Sequence, residues 1–348
     1  MLYELFANKG IAQGTAIGVE ALIVCVAVFL LTLLATRLIL PLLRAKKLNQ
    51  PINMYVTEHA GKAGTPTMGG ICFIIASLLA VLVWIVLEKC GVIGANDSRA
   101  LLPFVLTVCL GVANGLIGFI DDYKKLVKKE NEGLNEAQKF MLQLFVAAAY
   151  LAMMGMTGNL PTALKIPFID LSLELGWFAY VVYLIVIVGF VNSTNITDGI
   201  DGLASSVGAA VSMALIVMAV ILGARYTGVA AGVLLGSLLG FLVFNHYPAK
   251  VFMGDTGSLF IGGIIMGCAI SEGQLIAVIV MSFVFIFEML SSLLQRVYFK
   301  LTHGKRIFKK APVHHHFQLL GWSEVKIVTV FFIVSVALCA VAMIGIVI

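Results

Sequence analysis

Ten apolar runs, most of them close to twenty residues long, follow one another along this 348-residue chain and leave it little choice of fold. A helix needs about 20 apolar residues to cross the hydrocarbon core of a bilayer. Inside lipid every backbone N–H and C=O must be satisfied within the structure, which only helices and closed barrels achieve. The two-residue alternation of a barrel strand is absent, so the runs read as helices. They span roughly Thr15–Leu40, Gly69–Leu87, Ala100–Ile120, Phe140–Met156, Trp177–Val191, Leu203–Leu222, Val229–Phe244, Ser258–Ile270, Leu275–Phe299 and Ile327–Ile348, the fifth and eighth being short. The first is too long for a removable signal peptide and lacks a small-residue cleavage pattern, so it counts as a spanning helix. Composition closes the soluble alternatives: 61% of the residues are hydrophobic and 12% charged, against about 45–50% and about 25% in ordinary soluble domains. Disorder and coiled-coil architectures need more charge and a heptad seam. The six cysteines contain no CxxC pair and lie mostly in apolar runs, where they read as small buried hydrophobes. One all-α, polytopic membrane domain over residues 1–348 is the expected architecture.

Charge gives the orientation. Taking alternate loops as one side places 18 of the 23 Lys and Arg residues together. Positive charge at helix ends stays in the cytoplasm, so this asymmetry puts five loops inside and both termini outside. The net charge of +5 is then largely a cytoplasmic basic collar, suited to anionic headgroups.

The unusual polar residues gather in those same inner loops. GFIDDYKK carries Asp121 and Asp122 at the end of the third run, before Lys124 and Lys125. Adjacent carboxylates repel unless a cation or proton lies between them, which points to a metal or a general base; a solvated loop start paired with the lysines is the plain alternative. NSTNITDGIDGLA packs Asn192, Asn195, Asp198 and Asp201 beside Gly199 and Gly202. Carboxylates, amides and glycines of close approach suit Mg²⁺ or a nucleotide diphosphate, although Thr197 or Asp198 could simply cap the next helix. FNHYPAKVFMGDTGSL sets Asp255 between Gly254 and Gly257. A turn of that kind opening a helix offers N–H groups to phosphate while the carboxylate holds a cation; a helix cap is the competing reading. KAGTPTMGG adds Lys62 before a turn that lets its loop fold back toward the membrane.

PVHHH places His314, His315 and His316 in the last inner loop. Three adjacent histidines do not share a helical face, so phosphate contact or proton transfer suits them better than a closed zinc site. Glu288 stands inside the ninth run, where a carboxylate needs a partner. Gln295 and Arg296 are two turns away, so either the helix breaks near Ser291 and Ser292 or another helix supplies that partner. A structural or site-supporting role is expected for Glu288.

These motifs, in this order and between these helices, resemble those of the phospho-N-acetylmuramoyl-pentapeptide-transferases from about Arg44 to Gln318. The resemblance implies ten helices around a cytoplasm-facing cleft in the bacterial inner membrane. It implies Mg²⁺-assisted transfer of phospho-MurNAc-pentapeptide from UDP-MurNAc-pentapeptide to undecaprenyl phosphate, giving lipid I and UMP. Asp255 and Asp198 would then be metal ligands, and Asp121, Asp122, Asp255 and His315 catalytic, with Asp121 preparing the lipid phosphate. Asn195, Asp198, Gly199, Ile200, Asp201, Lys62, Asn245 and Phe252 would line the uridine and metal region. Lys125 and Lys139 would steady phosphates, and His314, His316 and Gln295 would complete the substrate site. Val313 and Ile200 replace leucines of the family pattern, apolar for apolar. Membrane lipid is an implied partner, nucleic acid is not, and a homodimer is compatible with the sequence without being specified by it.

Two other functions share parts of this pattern. A sister enzyme moving GlcNAc-1-phosphate from UDP-GlcNAc to polyprenyl phosphate would use the same acids, and PVHHH argues for the muramoyl enzyme. A transporter would carry acids along an ion path through the bilayer; of the acids singled out, only Glu288 stands inside a run.

Overall fold

The computed structural model describes residues 13–45, 64–93, 98–128, 133–169 and 171–348. The elements are α1 (Gln13–Ala45), α2 (Gly70–Lys89), α3 (Ser98–Lys128), α4 (Glu136–Met156), β1 (Ala163–Ile166), β2 (Leu171–Glu174), α5 (Phe178–Thr197), α6 (Leu203–Leu222), α7 (Arg225–Asn245), α8 (Gly254–Ser271), α9 (Leu275–Met281), α10 (Phe283–Leu301), α11 (Val313–Leu319) and α12 (Glu324–Val347). Nine of the described helices are long and apolar enough to cross a membrane, and α9 with α10 makes a tenth span bent by 77°. The ten apolar runs are therefore all helical, and the fold is all-α and multi-pass.

The bundle is organised around α8, whose residues from Thr256 to Ile270 are all buried. It packs along α3 on one side and α5 on another, while α7 packs along α1 and α6. Lipid offers no hydrophobic gain for helix pairing, so close packing of small residues has to hold such pairs. Gly228, Gly232, Gly236 and Gly240 recur every fourth residue on α7; a Cβ on Gly236 would lie 2.2 Å from the Cys25 carbonyl oxygen of α1. Gly118 does the same for α3, where a Cβ would stand 2.2 Å from the Asp255 carbonyl oxygen. That contact brings the acidic end of α3 against the opening turn of α8.

Several boundaries differ from those read in the sequence and move site residues; α8 starts at Gly254, so that Asp255 stands in its first turn. Helix α3 continues to Lys128, so Asp121 and Asp122 lie within a helix and not at a loop start. Helix α5 continues to Thr197, so Asn192 and Asn195 are helical too. Helix α4 begins earlier, with Asn135 and Gln138 forming a reciprocal capping box that places Lys139 in the first helical turns. The ninth run breaks at Ser282 (φ −98°, ψ 12°), well before Ser291 and Ser292. No Pro or Gly marks that break, so periodicity alone reads through it.

The end remote from the acids is less plain than its loops suggest. Arg225 at the start of α7 bonds Glu20 of α1 and the fully buried Glu88 of α2, at 2.7 and 2.8 Å. Its guanidinium also lies 5.0 Å from the Trp84 ring centroid. Glu88 is thus a second carboxylate buried among apolar helices, neutralised by a partner that is 137 residues away in sequence. Between α4 and α5 the two short strands pair antiparallel, and Phe168 N–H donates to the Gly345 carbonyl of α12 at 3.1 Å. Of the cysteines, Cys25, Cys72, Cys268 and Cys339 are buried as expected, whereas Cys90 and Cys109 are exposed.

Candidate active site

Neighbouring residues on a helix point about 100° apart, and α3 uses this to give its two acids different work. Asp122 turns toward α8. Its carboxylate accepts Asp255 N–H at 3.2 Å, Thr256 N–H at 3.0 Å and the Thr256 hydroxyl at 2.7 Å. It therefore caps α8 from another helix, satisfying donors that the helix's own N-cap residue, Met253, leaves free. Among the described residues neither Asp255 nor a loop side chain performs that capping. Asp121 turns the other way. Its Oδ1 accepts Leu134 N–H at 2.6 Å, fixing the entry to α4, and its Oδ2 meets Lys125 Nζ at 2.7 Å.

Asp255, in the first turn of α8, is the meeting point. Its Oδ2 receives Lys139 Nζ at 2.7 Å and Lys125 Nζ at 3.2 Å, and its Oδ1 receives the Asn195 amide at 2.8 Å. Asn195 also accepts from Lys139 at 3.1 Å and donates to Ser258 at 3.0 Å. Helices α3, α4, α5 and α8 thus deliver two carboxylates, two ammonium groups and an amide to one membrane-edge cluster. Acids and lysines alternate, so the cluster is locally neutral, and the helix α8 N-terminus favours the Asp255 charge. Ser258 and Thr256 belong to the site and were not singled out in the sequence; the DTGS stretch, with a hydroxyl one and three residues past Asp255, was the available signal.

The remaining motif residues surround this cluster or hold its walls. Asp198 is the half-buried C-cap of α5. Thr197 bonds back to the Ser193 carbonyl at 2.8 Å, and Gly202 begins α6 with no side-chain cap, so helix capping does not account for this loop. Asp201 is buried and accepts Ala249 N–H at 2.9 Å, tying its turn to the α7–α8 connection. Ile200 is buried, and Gly199 packs on the His314 ring. Asn245 is also buried, bonding Ser205 and the Val251 carbonyl at 3.0 Å each. Phe252 pairs its backbone with Pro66, and Gly69 and Gly70 donate to Phe252 and Met253, so the TPTMGG turn does fold back onto the α7–α8 connection. Lys62 lies outside the described residues.

The histidines separate into three environments. His314 is fully buried, with Nδ1 2.9 Å from Glu288 Oε2. His315 is half-buried and its Nδ1 pairs with Gln318 Oε1 at 2.6 Å. His316 accepts Lys309 N–H at 3.1 Å. Gln295 accepts the backbone N–H groups of Ile307 and Phe308 at 3.1 and 3.0 Å, and so clamps the loop before α11.

The chain matches the family model "Glycosyl transferase family 4" over residues 104–273 and the "Phospho-N-acetylmuramoyl-pentapeptide-transferase signature 1" over residues 62–74. It is 40% identical over 317 residues to the phospho-N-acetylmuramoyl-pentapeptide-transferase of Staphylococcus carnosus (strain TM300), covering 90% of this chain and 95% of that protein. It is 41% identical over 309 residues to the enzyme of the same name from Staphylococcus aureus (strain bovine RF122 / ET3-1), covering 88% and 92%. The chain belongs to the phospho-N-acetylmuramoyl-pentapeptide-transferase family.

The broader family-4 match contains Asp121, Asp122, Lys125, Lys139, Asn195, Asp198, Asp201 and Asp255, the residues of the cluster and its nearest wall. The narrower signature spans the TPTMGG turn that this structure pins beside Phe252. Among the described residues no three His, Cys, Asp or Glu side chains form a metal cage. For Mg²⁺ that is no obstacle, because it keeps several waters and is usually held by one or two carboxylates together with substrate phosphates. The Asp255 carboxylate is the hard oxygen donor at the centre of the cluster, and one such group beside entering phosphates fits an ion of that kind.

Proposed function

We propose that the chain transfers phospho-N-acetylmuramoyl-pentapeptide from its uridine diphosphate carrier to undecaprenyl phosphate, releasing UMP and forming lipid I. The two carboxylates interleaved with Lys125 and Lys139 around Asp255 carry this reading, together with membership of the family. Two phosphate anions must approach one another for the bond to form, so the site has to neutralise charge and hold geometry. Lys125 and Lys139 supply mobile positive charge: each is held by a carboxylate here and can turn to a diphosphate oxygen that enters beside it. Asp121, on the same side as Lys125, positions the acceptor phosphate or takes its proton. Asp122 acts one step back by fixing the first turn of α8, and hence Asp255. Asn195 keeps Lys139 and Asp255 in register. Asp255 is the residue that would hold Mg²⁺, with Asp198 completing its surroundings, and the ion would draw charge from the diphosphate and make UMP a better leaving group. Gly199, Ile200, Asp201, Asn245 and Phe252 would frame the uridine side, and His315 and His316 would border the sugar, while the fully buried His314 and the loop-clamping Gln295 support that wall from behind.

The signature over residues 62–74 and both relatives favour the muramoyl donor over UDP-GlcNAc. The reaction needs its site at a headgroup plane, and the cluster's place at the ends of four spanning helices agrees with that. The charge asymmetry of the loops supports a cytoplasmic position in the bacterial inner membrane. Purified protein supplied with UDP-MurNAc-pentapeptide, undecaprenyl phosphate and Mg²⁺ is expected to release UMP, and to stop when the ion is chelated. Release from UDP-GlcNAc in its place would move the assignment to the sister enzyme, and solute uptake by proteoliposomes without UMP would replace it with transport.

A further inference from the structure

Glu288 and His314 are both fully buried and bonded at 2.9 Å, yet neither touches the acid–lysine cluster. A carboxylate within a spanning segment is costly and is kept where it has work to do. The pair also leaves Glu288 Oε1 and His314 Nε2 with no hydrogen-bond partner among the described residues. Nε2 is aimed at the Asp198–Gly202 turn: a Cβ on Gly199 would lie 2.2 Å from it and 2.7 Å from Cε1. Only glycine fits there, so the imidazole edge rests directly on the backbone of that turn.

The base of this contact is rigid. Ser291 Oγ accepts Val313 N–H at 3.1 Å while donating to the Glu288 carbonyl at 2.7 Å, and Gln295 clamps the loop before α11. With Nδ1–H donated to Glu288, the ring's tautomer and tilt are fixed as well. On its far side the turn is held by Asp201, through Ala249 N–H at 2.9 Å and Glu324 Oε2 at 3.2 Å. The turn follows Asn195, the amide bonded to Asp255, by three residues.

We propose that Glu288 and His314 are positioning residues for the uridine diphosphate donor: a buried strut that sets where the Asp198–Gly202 turn stands beside Asn195 and Asp255. Glu288 acts through His314 and His314 through Gly199, and neither reaches the reacting atoms. The inference rests on the transferase reading for its kinetic consequence only.

The test uses the full-length enzyme with Glu288→Leu, Glu288→Gln and Gly199→Ala, read by UMP-release kinetics and by hydrogen–deuterium exchange over residues 198–203. Displacing a positioned group by an ångström costs up to about 10²-fold. Glu288→Leu and Gly199→Ala are each expected to raise KM for the donor roughly 10- to 100-fold and to speed exchange over 198–203, leaving 254–271 as protected as before. Glu288→Gln keeps an oxygen to accept Nδ1–H and should stay within about threefold of wild type. The double variant should be no worse than the more damaged single one, because both break one device. A Glu288→Leu enzyme of lower Tm but unchanged donor KM and unchanged exchange would reduce the pair to ordinary core and overturn the proposal. Should Glu288→Leu not fold, an unaltered KM and exchange in Gly199→Ala would overturn it equally. If the wild-type protein releases no UMP, the transferase reading falls, while the exchange data still decide the strut.

Discussion

Replacing Asp122 separates a helix cap from a catalytic base. In Asp122→Ala three donors at the start of α8 lose their acceptor: Asp255 N–H, Thr256 N–H and the Thr256 hydroxyl. A lost cap costs about 0.5–2 kcal/mol, and each hydrogen bond to a charged acceptor about 1.5–3 kcal/mol. Thr256 is buried, so water restores little. Against this, removing one carboxylate relieves its repulsion with Asp255, worth on the order of 1 kcal/mol for groups separated by polar protein. Counting the two N–H groups as one cap and the hydroxyl as one further bond, less the relieved repulsion, the net loss is about 1–4 kcal/mol. At roughly 2–4 °C per kcal/mol, a loss of about 3 kcal/mol lowers the melting temperature by about 6–12 °C in detergent. Asp122→Asn keeps the shape and can still accept from Thr256, but turns an amide N–H toward that of Asp255. It should cost about 1–2 kcal/mol and reduce UMP release about tenfold by tilting Asp255, with the donor and acceptor KM both affected. A catalytic base gives the opposite pattern: an Asn variant with unaltered Tm and activity lower by about 10²–10⁴. That result, from differential scanning fluorimetry beside the UMP assay, would refute the capping argument.

Asp255→Asn should remove Mg²⁺-dependent UMP release by at least about 10²-fold while the protein still folds, since an amide can replace the carboxylate's shape but not its charge; isothermal titration with Mg²⁺ in the presence of donor reads the lost affinity. Asp121→Asn should lower kcat by about 10²–10⁴ and leave donor binding nearly intact, and joint loss of Mg²⁺ and donor binding would assign Asp121 to the metal instead. Gly236→Ala pushes α7 against the Cys25 carbonyl of α1, and an overpacking cost of about 1–3 kcal/mol should appear as a lower Tm with unchanged KM. Burial raises the pKa of Glu272, just past the end of α8, against opposing pulls from the Thr227 hydroxyl and Lys165. A carboxyl whose folded pKa is raised contributes stability below its unfolded pKa and loses it as pH rises through the folded value. Glu272→Gln should therefore match wild type near pH 4 and melt higher than it at pH 8, and a pH-independent difference would defeat the assignment.

What the sequence determined by itself was everything that depends on local hydrophobicity and residue type. The apolar runs had to be helices because lipid cannot hydrogen-bond a backbone, and all ten are. The chemistry-bearing residues were legible because Asp, Asn, His and Lys stand out at the ends of apolar runs. Asp121, Lys125, Lys139, Asn195 and Asp255 do converge, although they span 134 positions. Tertiary structure decided the rest, because it turned on which faces meet. Asp121 and Asp122 are equal in sequence, and only the 100° step along α3, with Gly118 seating it on α8, makes one a member of the cluster and the other a cap. Glu288 needed a partner that no spacing on its own helix could reveal; packing supplied His314, and Gly199 gave that pair something to hold. Arg225, Glu20 and Glu88 form an ion pair network across three helices, and their separations in sequence carry no trace of it. Hydrophobic pattern is a property of each segment, but register between segments comes from small residues and directed polar contacts, and these exist only once the helices are side by side.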